Sequence, residues 1–448
     1  MSTIFEKLRK EEFSRLDTEG HAYLDYTGGN LYPASLILKH QKMLLENTFG
    51  NPHSTNPTSL RATELVEEAR KKVLEFFRAE DYICVFTQNA SGALKIVGES
   101  YPFDERSTFL LLSDNHNSVN GIREFCKAKK GNTQYVPVQY EDLEINEAAL
   151  KKYFAEVPRS ENNLFAFPAQ SNVSGMKHDL KWIEYAHSQG FDVLLDAAAF
   201  VPTSRLDLSV VKPDYVSLSF YKIFGYPTGI GALLIRKGAA FEKLQKPWFA
   251  GGTVEIVSVA TQERFLTTGH ERFEDGTLNY INIPAITLGL DYIESIGIDE
   301  INKHVRGLIM RLTHDLKELK HANGKPIVRI FGTESFDHRG GNIIMNFFDP
   351  DDKIYPYYNV EKISNDRMIS IRAGCFCNPG IDEINHCITN EQMALYFMSR
   401  HTWNRDDMMA FIGKMRGAIR VSVGIATNQS DLDKFVDFVK SLANKSYV

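Results

Sequence analysis

Between residues 82 and 235 the chain repeats one pattern, a short apolar run followed by a segment of helical periodicity and then another apolar run. Runs at 82–86, 109–112, 135–138, 164–167, 193–195, 215–220 and 232–235 read as strands, and helical segments lie between most of them. A strand that is apolar along its whole length needs cover on both faces. Parallel neighbours joined by helices supply that cover, so the pattern predicts an α/β domain built on a large, mostly parallel sheet. In such sheets ligands bind beyond the carboxyl ends of the strands, which directs attention to the polar residues found there.

The rhythm changes after about residue 251. Helices are expected at 283–296 and 301–319, strands at 328–331, 343–348 and 368–372, helical segments within 391–414, a strand at 419–423, and a last helix carrying Leu432, Phe435, Val436, Val439 and Leu442. Helices gathered beside a few strands suggest a smaller α+β domain. We place the large domain at 22–265 and the smaller one at 1–21 and 266–448. Residues 1–20 read as a charged helical arm with Ile4, Leu8 and Phe13 as its apolar residues, and 61–77 as an amphipathic helix. No repeat or long linker separates the parts.

Several strand ends carry chemistry. Lys222 follows the 215–220 run and precedes Gly225. A lysine held in a partly desolvated crevice has a lowered pKa, and its neutral amine can form a Schiff base with an aldehyde. A solvated loop lysine satisfies the same local sequence. Asp196 ends the preceding run, where a carboxylate must meet a cation or several donors. Asn172 follows the run before that. In 86–93 a small-residue turn enters a helix, where amides and the Ser91 hydroxyl suit a phosphate, or Ser91 is simply a helix cap. His116 suits stacking on a flat ring or moving a proton, and a structural or solvated histidine satisfies the same local sequence. Gly28 and Gly29 lie in a turn where backbone can approach a ligand.

Cysteine usage points the same way. The five cysteines, Cys84, Cys126, Cys375, Cys377 and Cys387, make no disulfide framework and fit a reducing compartment. Cys375 and Cys377, even with His386 and Cys387, form a poor zinc site, so no metal is expected. Their Gly- and Pro-flanked loop would expose a thiol for nucleophilic work, although two inert loop cysteines read equally well. Arg420 sits inside an apolar run and needs an anionic partner, for which a substrate carboxylate serves. With 51 Lys and Arg against 57 Asp and Glu, the chain has no basic footprint for nucleic acid or an anionic membrane. No run is long enough to span a bilayer and the first ten residues lack a secretory core, so a cytoplasmic enzyme is expected.

Four stretches, 31–33 (Leu-Tyr-Pro), 50–54 (Gly-Asn-Pro-His-Ser), 219–225 (Ser-Phe-Tyr-Lys-Ile-Phe-Gly) and 374–380 (Gly-Cys-Phe-Cys-Asn-Pro-Gly), carry a resemblance. The chain resembles the fold-type I, pyridoxal-phosphate-dependent class V aminotransferase family, and within it the cysteine desulfurase domain of molybdenum cofactor sulfurases. The resemblance implies a type I transferase fold with pyridoxal 5'-phosphate on Lys222 and Asp196 at the pyridine nitrogen. It places His116 on the ring face and Asn172 near the ring hydroxyl, and puts Ala90, Ser91 and Ser219 at the phosphate. Thr253 would reach the phosphate of a second subunit, which implies a homodimer. Arg420, with Thr27 and Gly28, would bind the substrate. Lys222 and Cys377 would be catalytic with His116, and Cys377 would accept sulfur from L-cysteine and pass it to an acceptor protein, with Cys375 a bystander. A class V lyase, epimerase or aminotransferase without a persulfide step is the alternative. The chain departs from the family pattern at Asn89, Ala199 and Ile381, and it ends where the sulfurases continue into another domain, so delivery to molybdenum cofactor is expected to need a partner protein.

Overall fold

The computed structural model describes residues 3–446; the outermost positions of the expected smaller domain, 1–2 and 447–448, lie outside the described residues. The helix α1 (Pro57–Phe76) leads to the first strand of the large sheet, and α2 (Ala90–Ser100) follows that strand. The seven apolar runs all become strands of one sheet: β1 (Tyr82–Thr87), β2 (Thr108–Leu112), β3 (Asn132–Val136), β4 (Leu164–Pro168), β5 (Asp192–Asp196), β6 (Tyr215–Ser219) and β7 (Gly231–Arg236). Across the sheet they run β1, β7, β6, β5, β4, β2, β3. All neighbouring pairs are parallel except those of β7, which is antiparallel to β1 and β6. The reason lies in the 220–230 connection, which holds only the short helix α3 (Phe220–Phe224). A parallel crossover needs about a dozen residues or more, so the chain turns back instead.

Every residue of β2, β4 and β6 is buried, as full cover on both faces requires. On one face Phe109, Leu111, Leu194 and Leu233 pack together; on the other, Phe165, Phe167, Val216 and Leu218 join a core that continues to Ile343 and Val421. Each such side chain contributes about 1.5–3 kcal/mol on burial. The shared core holds the second sheet firmly against the first.

Past the large sheet, α4 (Pro284–Ile296) packs on α1, and Gly289 lies so near the Phe224 ring that a Cβ there would be 2.3 Å from it. The helix α5 (Ile298–Lys317) leads to a four-stranded antiparallel sheet of β8 (Val328–Phe331), β9 (Asn342–Phe347), β10 (Arg372–Gly374) and β11 (Ala418–Ser422), ordered β8, β9, β11, β10. The short helix α6 (Pro379–Asn385) follows β10, and α7 (Gln429–Lys440) closes the chain.

Three expectations need correction. The single strand expected at 368–372 is two, because Ile369–Ser370 pairs in parallel with Ala22–Tyr23 whereas Arg372 begins pairing with β11. The strand expected at 135–138 is β3, shifted to 132–136 by its register with β2. In the N-terminal arm, Phe5 and Phe13 are buried while Ile4 is 37% exposed. That arm is tied to the far end of the chain: Arg9 donates to Asp431 on α7 at 3.0 Å and to the Ala426 carbonyl at 2.7 Å. The helix Ala34–Glu46 and the hairpin of Val254–Val257 with Arg264–Leu266 were not anticipated from sequence.

Candidate active site

The loops leaving β1, β2, β4, β5 and β6 converge on a cleft of about 190 Å³ lined by Ala90, Ser91, His116, Asn172, Asp196, Ser219 and Lys222. These are seven of the residues singled out from sequence. Lys222 does not end its strand directly. The strand stops at Ser219, and Lys222 stands on α3, whose C-terminal Gly225 has φ of 80°. No other residue fits at 225, since a Cβ would lie 2.3 Å from the Tyr32 nitrogen. The loop of residues 28–33 crosses there, and Asn30 Nδ2 donates to the Ile223 carbonyl at 2.7 Å. Two stretches that stood apart in sequence therefore hold each other in place.

The electrostatics of the cleft suit nucleophilic amine chemistry. Burial lowers the Lys222 pKa and Arg420 adds to this, opposed by Asp196 and Cys377. Burial also lowers the His116 pKa, with Asp196 opposing and Lys222 assisting. His116 Nδ1 accepts the Ser118 backbone N–H at 3.2 Å, so the proton of the neutral ring sits on Nε2. Asp196 Oδ1 accepts from Ser217 Oγ at 3.0 Å and from the Ala198 N–H at 3.1 Å, which leaves Oδ2 for a ligand cation. At the α2 end the hydroxyls of Ser91 and Ser118 are 2.5 Å apart, and Ser219 Oγ accepts the Ala90 N–H at 3.0 Å. Three hydroxyls at a helix N-terminus form a cradle for a phosphate. Gly231 lets the Asn89 backbone at the start of this cradle pack close, because a Cβ there would lie 2.5 Å from it.

A second, much smaller chamber of about 20 Å³ adjoins Lys222, lined by Tyr26, Thr27, Gln170, Ala199 and Thr203 among others. Gln170 borders both chambers, and its buried Oε1 has no protein partner. Thr27 lines this chamber. Gly28 instead packs between Asp25 and Arg372, whose atoms would lie 2.5 Å from a Cβ at that position.

Arg420 is 3% exposed and donates to Asp25 Oδ1 and to the Asn172 carbonyl, each at 2.8 Å, while its Nε has no protein partner. Arg372 meets the other oxygen of Asp25 at 2.6 Å. Asn172 uses its Nδ2 on the Phe376 carbonyl at 2.8 Å and its Oδ1 on Asn378 at 3.1 Å, leaving one amide hydrogen for the cleft. Cys377 is exposed, and both Phe376 and Cys377 have φ of 55°. Left-handed backbone at such residues costs about 1–3 kcal/mol apiece. Cys375 differs, since burial first and Asp382 next push its pKa up to about 12, which keeps it a thiol at neutral pH. Thr253 is buried outside the cleft, with Oγ1 accepting the Ala250 N–H at 3.0 Å. Among the described residues no cluster of His, Cys, Asp and Glu is arranged to hold a metal, and no helix is long and apolar enough to cross a membrane.

Sequence reasoning passed over Asp25, Gln170, Arg372 and Ser118 as site residues. Ser118 lay two positions from His116, and Asp25 two from Thr27, so proximity in sequence was the available signal. Gln170 likewise lay two positions from Asn172, whereas Arg372 becomes a site residue only through its pairing with Arg420 and Asp25.

The aminotransferase class-V family profile matches residues 22–435. The molybdenum cofactor sulfurase of Arabidopsis thaliana is 35% identical and that of Homo sapiens 36%; each alignment covers 97% of this chain, but only 58% and 51% of those proteins. This chain thus spans little more than half the length of these curated relatives. Among solved structures, an apo cysteine desulfurase from Thermococcus onnurineus NA1 superposes with a TM-score of 0.80 over 98% of each chain at 24% identity, a likeness of fold.

Proposed function

We propose, from the premise that the chain belongs to the aminotransferase class-V family, that it is a pyridoxal-5'-phosphate enzyme of cysteine desulfurase type, moving sulfur from L-cysteine onto Cys377 and releasing alanine. One observation carries this reading: Lys222, Asp196, His116 and Asn172 line one cleft, and Asn172 bonds both Arg420 and the turn that presents Cys377. The residues present fit the cofactor. The serine cradle at the start of α2 would accept a phosphate, the His116 ring would offer a flat face, Asp196 Oδ2 would be available to a ring cation, and Lys222 would supply the amine. When bound, pyridoxal phosphate supplies an electron sink that acidifies the α-carbon of an amino acid.

The chain's own groups do the rest. Arg420, with its free Nε, holds the substrate carboxylate. Lys222, whose pKa burial lowers, takes the proton from the α-carbon and returns a proton as alanine forms. Cys377, as a thiolate, attacks the substrate sulfur; the S–S bond forms as the bond from sulfur to the β-carbon breaks, so L-cysteine and one enzyme thiol become alanine and one persulfide. A thiol-bearing acceptor protein then discharges the persulfide. Only the sulfur-mobilising half of the relatives' named activity is assigned to this chain.

A homodimer completes the reading. The hairpin next to Thr253 exposes Val259 at 95% and Phe265 at 72%, apolar surface of the kind a second copy would cover. The central test is persulfide labelling after incubation with L-cysteine. The expected label lies on the Cys377 peptide, is lost in Cys377→Ser and is retained in Cys375→Ser. Turnover of an amino acid with no label on Cys377 would instead favour a lyase, epimerase or aminotransferase.

A further inference from the structure

The loop that presents Cys377 has an unfavourable shape, with φ of 110° at Gly374 and 55° at both Phe376 and Cys377. L side chains avoid that region, so such a turn persists only where its surroundings over-determine it. Asn378, the next residue, supplies much of that constraint. Its side chain is fully buried, and Nδ2 donates to Asp114 Oδ1 at 2.7 Å and to Asn172 Oδ1 at 3.1 Å, which uses both amide hydrogens. Asp114 is equally buried and is itself held, by Ser171 Oγ at 2.8 Å and by His178 Nε2 at 3.0 Å. Around this anchor, the Asn117 N–H donates to the Cys377 carbonyl at 2.7 Å and Asn172 Nδ2 to the Phe376 carbonyl at 2.8 Å. Gly380 packs so tightly on the large sheet that a Cβ would lie 2.1 Å from the Ser113 carbonyl oxygen.

We propose that Asn378 is a positioning residue for the Cys377 thiol, clamping the left-handed turn to the large domain through Asp114 and Asn172 so that the exposed thiol keeps one position relative to the cleft that Asn172 lines. The proposal rests on Cys377 being the sulfur acceptor. It also joins two parts of the site, since the Asn172 carbonyl accepts from Arg420 while the Asn172 side chain holds the cysteine turn. Substrate carboxylate and attacking thiol are thereby referenced to one residue.

Two variants test it. Asn378→Ala removes the clamp, and Asn378→Asp keeps the size and the acceptor at the start of α6 but sets a carboxylate against Asp114. Alkylation of the cofactor-free protein with iodoacetamide, resolved by peptide, reads the position of the thiol without any turnover, with the exposed Cys387 as internal reference. The ratio of Cys377 to Cys387 alkylation is expected to change at least about threefold in both variants. With L-cysteine, kcat should fall about 10–100-fold while KM stays within about twofold, because the thiol and not the substrate is displaced. Wild-type alkylation ratios and kcat in both variants would overturn the proposal, as would a KM that rises in step with a falling unfolding midpoint. A wild-type protein with no label on Cys377 would count against the desulfurase reading alone, since the alkylation measurement stands without it.

Discussion

Arg372 and Arg420 face each other directly across β10 and β11, an arrangement of like charges that costs stability unless an anion intervenes. Asp25 intervenes, with one carboxylate oxygen on each guanidinium. Two cations balanced by one anion leave a single positive charge, which matches one substrate carboxylate. Burial lowers the Arg420 pKa while Asp25 opposes that fall, so the guanidinium depends on Asp25 for its charge environment. Lysine cannot replace the fork, because a point charge reaches either Asp25 or the substrate but not both with the same geometry. Arg420→Lys is accordingly expected to lower kcat/KM for L-cysteine about 10–100-fold, mostly through KM, as measured by steady-state alanine release.

The edge strand β1 feeds the phosphate cradle and is fastened by a buried ion pair. Arg70 on α1 donates to the Cys84 carbonyl at 2.6 Å and to Glu274 at 2.7 Å, and Glu274 in turn accepts the Phe86 N–H at 2.8 Å. Burial by itself would raise the Glu274 pKa, but the His270 hydrogen bond and the Arg70 guanidinium outweigh it and hold the pKa below 4.5. As pH falls, the unfolded chain therefore takes up this proton before the folded one does. The stabilisation is complete above about pH 4.5 and is lost as pH drops through the folded pKa. Glu274→Gln breaks a buried pair from one side and is expected to cost about 3–5 kcal/mol in urea unfolding at neutral pH. It should also flatten the acid limb of the stability curve. An unchanged midpoint in urea would show that β1 is held by packing alone.

At the scale of the whole molecule, the hairpin that follows the buried Thr253 exposes Val259 and Phe265 as apolar surface. Val259→Asp together with Phe265→Asp is expected to halve the sedimenting mass while leaving the fold's circular dichroism unchanged. A wild-type protein that already sediments as a monomer would remove the basis for that surface.

Much of this architecture was readable before any coordinates. Six of the seven strands of the large sheet followed from apolar runs of strand length, because a strand buried on both faces must be apolar throughout, whereas the edge strand β3 begins with the polar Asn132, Thr133 and Gln134 and was misplaced. Lys222, Asp196, His116, Asn172 and the serines were legible as polar residues at the ends of such runs, and they share one cleft. The reversal of β7, the split of 368–372 between two sheets and the use of Phe5 in place of Ile4 were not legible, since each depends on which partner lies alongside. Local periodicity thus determined the strands and the residues that end them. Only the tertiary structure decided that Asp25 bridges two arginines, that Gln170 borders both chambers, and that Asn378 fixes the cysteine turn. Those roles arise from contacts between segments hundreds of positions apart, such as the 264 that separate Asn378 from Asp114, and sequence spacing carries no information about them.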